Sequence, residues 1–150
     1  MNVAIIGYGK MGKEIEQVLL QWGHTVTAII DIDTQHLFDA EHLKTTDVAI
    51  EFTSPGTAYG NIVKCLELGI PVVCGTTAWL DKYDEVARIC KERNGAFFYS
   101  SNYSIGVYLF IKVNRYLAKL MNRFPGYDVT EEEVHHTQKK DAPSGTAITV

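Results

Sequence analysis

The stretch Asn2-Val-Ala-Ile-Ile-Gly-Tyr-Gly-Lys-Met-Gly12 decides how the rest of this 150-residue chain is read. Its first five residues are mostly β-branched and apolar, the composition of a buried strand. Gly7, Gly9 and Gly12 follow at once in the spacing G-x-G-x-x-G. Beyond them Ile15, Val18, Leu19 and Trp22 recur at helical spacing, and Gly23 supplies a stop. Strand, tight turn and helix are therefore expected in immediate succession. The glycines then divide the work among them. Gly7 makes the turn, Gly9 lets the backbone approach a pyrophosphate, and Gly12 packs the helix onto the strand. Tyr8, Lys10 and Met11 complete the same cofactor-facing loop. The motif alone is weak, and its meaning comes from the strand and helix on either side.

The pattern continues along the chain. A second strand, 25–30, ends at Asp31, nineteen residues after Gly12, where a carboxylate can accept from a ribose hydroxyl. An aspartate there can also be a plain turn former. Residues 34–46 show no period and are expected to be a polar connection with His36 and His42 on its surface, neither partnered at ligand spacing; no metal is expected. Strands at 47–52, 71–74 and 96–99 alternate with helices at 57–68 and 80–93, the last stopped by Asn94-Gly95. This alternation predicts an α/β, Rossmann-type, doubly wound parallel sheet. Ligands of such sheets lie beyond the carboxyl ends of the strands. That rule gathers the Gly7 loop, Asp31, the Phe52-Thr53 turn, Gly75-Thr76-Thr77 and Ser101-Asn102-Tyr103-Ser104. A long helix with an apolar stripe is expected over 106–124, broken by Pro125-Gly126. The division falls near 101–106: a dinucleotide-binding domain at 1–104, then the beginning of an α+β substrate-binding and oligomerisation domain at 105–150.

The densest chemistry stands at 131–147, EEEVHHTQKKDAPSGTA. Residues 131–134 read as the end of a strand, so His135 and His136 should point opposite ways. An imidazole, with an unperturbed pKa of about 6.5, exchanges protons near neutrality, while lysines hold anions. Pro143 suits a first helical turn with Asp141 or a neighbour as cap, leaving Ser144, Gly145 and Thr146 N–H groups free for an anion. The plain alternative is a solvated loop with an ordinary helix cap.

Taken whole, Glu133 to Ala147 resembles the signature of the 4-hydroxy-tetrahydrodipicolinate reductase (dihydrodipicolinate reductase) family of lysine and diaminopimelate biosynthesis. There Glu-x-His-His is followed, after two residues, by Lys-x-Asp-Ala-Pro-Ser-Gly-Thr-Ala, and every fixed position is present. Gly75-Thr76-Thr77 and Asn102-Tyr103-Ser104 look like the family's nicotinamide-side loops. The resemblance implies an NAD(P)H-dependent oxidoreductase that reduces a small cyclic dicarboxylate. His135 and Lys139 would be proton donors, His136 a substrate contact, and Gly145 and Thr146 the holders of a substrate carboxylate. The family often has an arginine after the ribose-binding acid; Ile32 stands there, which favours NADH, while Lys10 leaves NADPH open. Members are homotetramers and continue well beyond the Ser-Gly-Thr turn. This chain reaches Val150 with no C-cap in sight, so the expectation is either a fragment or missing mass supplied from elsewhere, and with it association. Two rivals remain: a binding module without turnover, and a Rossmann oxidoreductase for another carboxylate.

Composition agrees with an enzyme of this kind. With 46% hydrophobic and 21% charged residues, the chain can bury a core. A net charge of −4, from 14 basic and 18 acidic residues, gives no reason to expect a nucleic-acid or membrane-surface partner. Cys65, Cys74 and Cys90 sit in apolar runs and are expected to be reduced core residues. With no basic n-region before residue 6 and no long apolar run, neither a signal peptide nor a spanning helix is expected, and the cytoplasm is the expected compartment.

Overall fold

The computed structural model describes residues 1–135, 137 and 143–150. The chain divides into two compact units, Met1–Ser100 and Ser101–Val150.

The first unit is built on five strands, β1 (Asn2–Ile6), β2 (Thr25–Ile30), β3 (Val48–Glu51), β4 (Val72–Cys74) and β5 (Phe97–Tyr99). They form one sheet in the order β2-β1-β3-β4-β5, with every pairing parallel. Between them run α1 (Lys10–Gln21), α2 (Pro55–Glu67) and α3 (Tyr83–Glu92). Side chains of β1 alternate between two cores. Val3 and Ile5 pack with Leu19 and Ile15 of α1. Ala4 and Ile6 pack on the opposite face with Ala58, Ile62 and Leu66 of α2 and Val86 of α3. Both faces are covered, which is why β1 is apolar throughout and not alternating. Burying each of its Val and Ile side chains stabilises the fold by roughly 1.5–3 kcal/mol. The doubly wound parallel sheet is thus as expected.

Two local expectations need correction, and one helix shows a finer pattern than its spacing alone conveys. The 34–46 connection is not merely polar: a 3₁₀ helix, Ile32–Leu37, opens it, and Phe38 and Leu43 are buried in the core. On α1 the inward face is Gly12, Ile15 and Leu19, whereas Val18 and Trp22 are exposed. Close seating of Gly12 on the sheet turns that edge inward and rotates the other two away. Finally, 131–134 forms no strand. A ladder needs a hydrogen-bonded neighbour, and no described segment pairs with it.

The second unit holds α4 (Ile105–Met121) and α5 (Gly145–Thr149). Ser104 caps α4, its hydroxyl accepting from Val107 N. None of the residues of α4 is buried, and Tyr108, Leu109, Phe110, Val113, Tyr116 and Leu117 all stand exposed. No helix of the described residues is long and apolar enough to cross a membrane.

All three cysteines are free thiols. Burial pushes the Cys65 thiol up to about 12, and burial with the Glu51 carboxylate raises that of Cys74 further. The thiolate is the reactive form. Iodoacetamide at pH 8 is therefore expected to alkylate partly exposed Cys90 in the native state and to reach Cys65 and Cys74 only after denaturation. Rapid native labelling of all three, read by peptide mass, contradicts this packing.

Candidate functional site

The turn after β1 is shaped by what its glycines exclude. Gly7 has a φ of +93°, and a Cβ there would lie 2.0 Å from the carbonyl oxygen of Phe52. At Gly12 a Cβ would lie 2.1 Å from the carbonyl oxygen of Gly7, so only glycine lets α1 start this close to the turn. Gly9 differs, with no atom within 4 Å of the corresponding position. Its missing side chain leaves open space above the loop.

That space belongs to two clefts at the carboxyl ends of the strands. The chain passes from β1 to β2 on one side and returns to β3 on the other, so β1 and β3 flank the point where strand order reverses. Ligands of open α/β sheets occupy this crevice. One cleft, of about 340 Å³, is lined by Gly9, Lys10, Met11, Phe52, Thr53, Pro55, Gly75, Thr76 and Thr77. The other, of about 410 Å³, runs from Gly7, Tyr8 and Gly9 past Asp31, Ile32 and Gln35 to Thr57 and Asn61. Predicted residues Gly7 to Met11, Asp31 and Gly75 to Thr77 thus share one rim, and Gly12 seats the helix beneath it.

Asp31 ties that rim together. Its Oδ2 accepts from the Tyr8 backbone N–H at 3.0 Å, and its Oδ1 from Ile32 N–H at 2.8 Å. Each carboxylate oxygen keeps a second lone pair for a ligand hydroxyl. The Tyr8 hydroxyl is bonded to Glu16, whose carboxylate raises the phenol above its ordinary range. On the other wall, Thr76 is buried; its hydroxyl accepts from Thr53 N–H at 2.8 Å and its carbonyl from Trp79 Nε1 at 2.7 Å. Thr76 therefore shapes the loop. A Cβ at Gly75 would meet the Phe52 ring at 2.1 Å, which fixes the ring against the β4 turn.

The remaining predicted residues lie in the second unit. Asn102 Oδ1 accepts from Ser104 N–H at 2.8 Å, closing the turn before α4. A Cβ on Gly145 would stand 3.7 Å from Ser101 Cβ, so the two segments adjoin. Tyr103 is exposed. Gly145 and Thr146 open α5, but the cap is Ser144, whose hydroxyl accepts from Ala147 N–H at 3.0 Å. Pro143 precedes that cap and lies outside the helix, because the serine hydroxyl satisfies the first turn better than an upstream residue can. The expected cap at Asp141 lies outside the described residues, as do His136 and Lys139.

Glu133, read above only as part of a motif, gains a role of its own from its contacts. Its Oε1 accepts from Ser144 N–H at 2.9 Å, and its Oε2 pairs with His135 Nε2 at 3.0 Å. Ser144 N–H is therefore not free for an anion as expected. The spacing Glu-x-His is the only hint of this, since a contact eleven residues on leaves no local signature. The Ser144 hydroxyl and N–H, then His135, hold the Glu133 carboxyl below its ordinary range. A depressed folded pKa gives stabilisation that is complete above the unfolded value, about 4.3, and is lost as pH falls through the folded value. A ¹³C carboxyl titration of Glu133 is expected to show a midpoint below the ordinary glutamate range. A midpoint at or above that range contradicts the Ser144 and His135 contacts.

A glycine-rich turn between a first strand and its helix, an acid at the end of the second strand, and clefts at a switch point together define a Rossmann-type dinucleotide-binding fold. The family model described as Dihydrodipicolinate reductase, N-terminus matches residues 1–103, and the one described as Dihydrodipicolinate reductase, C-terminus matches 106–150. The chain belongs to the dihydrodipicolinate reductase family. It is 45% identical over its whole length to a 4-hydroxy-tetrahydrodipicolinate reductase of Christiangramia forsetii and 32% identical to one of Lawsonia intracellularis, covering 62% of each. Among solved structures it resembles a dipicolinate-bound dihydrodipicolinate reductase from Paenisporosarcina sp. TG-14, with 26% identity, a TM-score of 0.63, and coverage of 99% of this chain and 63% of that one. The chain thus spans a little under two thirds of these relatives.

Proposed function

We propose that this chain provides the cofactor unit, and the first part of the substrate unit, of an enzyme that reduces 4-hydroxy-tetrahydrodipicolinate to tetrahydrodipicolinate for lysine and diaminopimelate biosynthesis. The observation that carries this reading is the clefted switch point, with Gly7 to Gly12 on one side and Gly75 to Thr77 on the other, in a chain of this family.

The site fits a dinucleotide. The open space at Gly9 admits a pyrophosphate to the start of α1, where backbone N–H groups lack helical partners. Asp31 takes the ribose end, with Tyr8, Lys10 and Met11 along the phosphates. Gly75, Thr76 and Thr77, and then Ser101, Asn102, Tyr103 and Ser104, serve the nicotinamide side. When bound, the dinucleotide supplies the hydride. The protein's share is a proton from His135 Nδ1 or Lys139, with Glu133 holding His135 Nε2. His136, Gly145 and Thr146 grip the substrate dicarboxylate. We place the boundary between the two domains at 104–105, and infer a cytoplasmic homotetramer.

NADH is the preferred cofactor in this reading, because Asp31 offers a carboxylate and exposed Ile32 offers no cation to a 2′-phosphate. Lys10 is the residue through which NADPH would still be accepted. The test titrates the fluorescence of NADH and of NADPH with this chain. It then follows cofactor oxidation with 4-hydroxy-tetrahydrodipicolinate in a polypeptide extended to the length of the relatives. Binding, followed by oxidation with kcat/KM favouring NADH, is expected. Binding without oxidation supports a module without turnover, and a strong NADPH bias refutes the preference.

A further inference from the structure

Glu51 is the one buried carboxylate among the described residues, with no exposed surface at the carboxyl end of β3. It lies on the sheet face it shares with Ala49, Val72 and Cys74, against the larger core. No part of the chemistry above uses it. A carboxylate there is costly unless each oxygen has a donor.

The donors come from the turn after β3 and from the end of β4. The Thr53 hydroxyl, on the turn after β3, donates to Oε1. The Cys74 thiol, on the last residue of β4, donates to Oε2 at 2.9 Å. On its other side the Thr53 oxygen faces the Thr57 hydroxyl at 3.0 Å and the Asn61 amide at 3.3 Å, both as donors. A hydroxyl has one proton to give, so with donors behind it the Thr53 proton goes to Glu51. The network extends from Thr53 N–H to the Thr76 hydroxyl at 2.8 Å, and from Trp79 Nε1 to the Thr76 carbonyl at 2.7 Å. Phe52, Thr53, Gly75, Thr76 and Thr77 are also the far wall of the smaller cleft.

We propose that Glu51 is a positioning residue for the cofactor: by accepting from Thr53 and from Cys74 it sets the separation of the β3 and β4 loops, and so the width of the cleft that takes the nicotinamide half of the dinucleotide. This rests on the dinucleotide reading above. It also explains why an acid occupies an otherwise apolar face. A glutamine keeps the size but turns an N–H₂ toward a donor, so one loop must give way. Thr53 also lines the other cleft, where Asp31 takes the adenosine half, but the β4 loop, Gly75 to Thr77, lines only the smaller one, so a change in loop separation falls on the nicotinamide half.

The test compares the affinities of NADH and ADP-ribose for this chain, for Glu51→Gln and for Cys74→Ala, with thermal melting of each. Leaving one buried donor unmet costs enough for NADH affinity to fall by about tenfold or more. ADP-ribose affinity should stay within about twofold, because the β4 loop that shifts lines only the nicotinamide cleft. A merely structural role would weaken both ligands together. Equal losses for both, or no loss of NADH affinity, overturn the proposal. Should Glu51→Gln not fold, Cys74→Ala decides, since it removes one donor and leaves the carboxylate bonded to Thr53; the same split supports the proposal and unchanged NADH binding overturns it. A wild-type chain that binds neither ligand instead contradicts the dinucleotide reading itself, and this proposal falls with it.

Discussion

Gly7→Ala is expected to cost roughly 2–6 kcal/mol of stability and to abolish dinucleotide binding. Two independent penalties add at this position. The φ of +93° is a left-handed conformation, which costs a residue with a Cβ about 1–3 kcal/mol. The added carbon would also stand 2.0 Å from the Phe52 carbonyl oxygen, and since backbone cannot rotate aside, the β1 and β3 turns must part, at about 1–3 kcal/mol for overpacking. Domains have about 5–15 kcal/mol in total, so the loss is a large share. Circular dichroism melting should show a fall in Tm of about 8 °C or more. Gly9→Ala is the control. Nothing lies within 4 Å of its missing Cβ and its φ is negative, so it should melt like the wild type yet bind NADH poorly, because the methyl enters the space meant for the pyrophosphate. A Gly7→Ala chain that melts with the wild type contradicts the turn as described.

The second large effect concerns the proton. In a polypeptide extended to the relatives' length, His135→Ala and Lys139→Ala are each expected to lower kcat by about 10²- to 10⁴-fold while NADH affinity stays near that of the wild type. The separation follows from the proposed roles, since the residues assigned to the cofactor, at 7–12, 31, 75–77 and 101–104, do not include these two, whose side chains are assigned to the substrate. For His135 the geometry adds a reason. Its Nε2 is already engaged by Glu133 at 3.0 Å, which leaves Nδ1 for substrate. Collapse of cofactor binding in either variant, with kcat spared, would reverse the assignment.

Most of the first unit was legible because its signals are local. The β-branched run before Gly7, the three glycines and the acid after β2 each announce themselves within a few residues, and the clefts gather the residues that strand order says they should. What escaped the sequence depends on partners far along the chain. Phe38, Leu43 and Trp79 are buried, but single apolar residues in polar connections carry no period. Glu51 reads as an ordinary charge at a strand end, because its burial is decided by Cys74, 23 residues on. The strand expected over 131–134 failed for a related reason, since alternation can be read from one segment but pairing cannot. The start of α5 was misplaced by a residue or two because Pro143 and Ser144 are both good starters, and only the Ser144 to Ala147 bond tells which one caps.

The proposed function requires a proton-donating, anion-gripping segment working at the nicotinamide end of a dinucleotide cradle. A crystal structure of the extended protein with NADH and dipicolinate tests that requirement most directly. The pyrophosphate is expected over Gly9, Lys10 and Met11, the nicotinamide beside Gly75 to Thr77, and dipicolinate held by His136, Gly145 and Thr146 against that ring. Finding the dicarboxylate bound elsewhere, with His135 and Lys139 turned away from the nicotinamide, would contradict it.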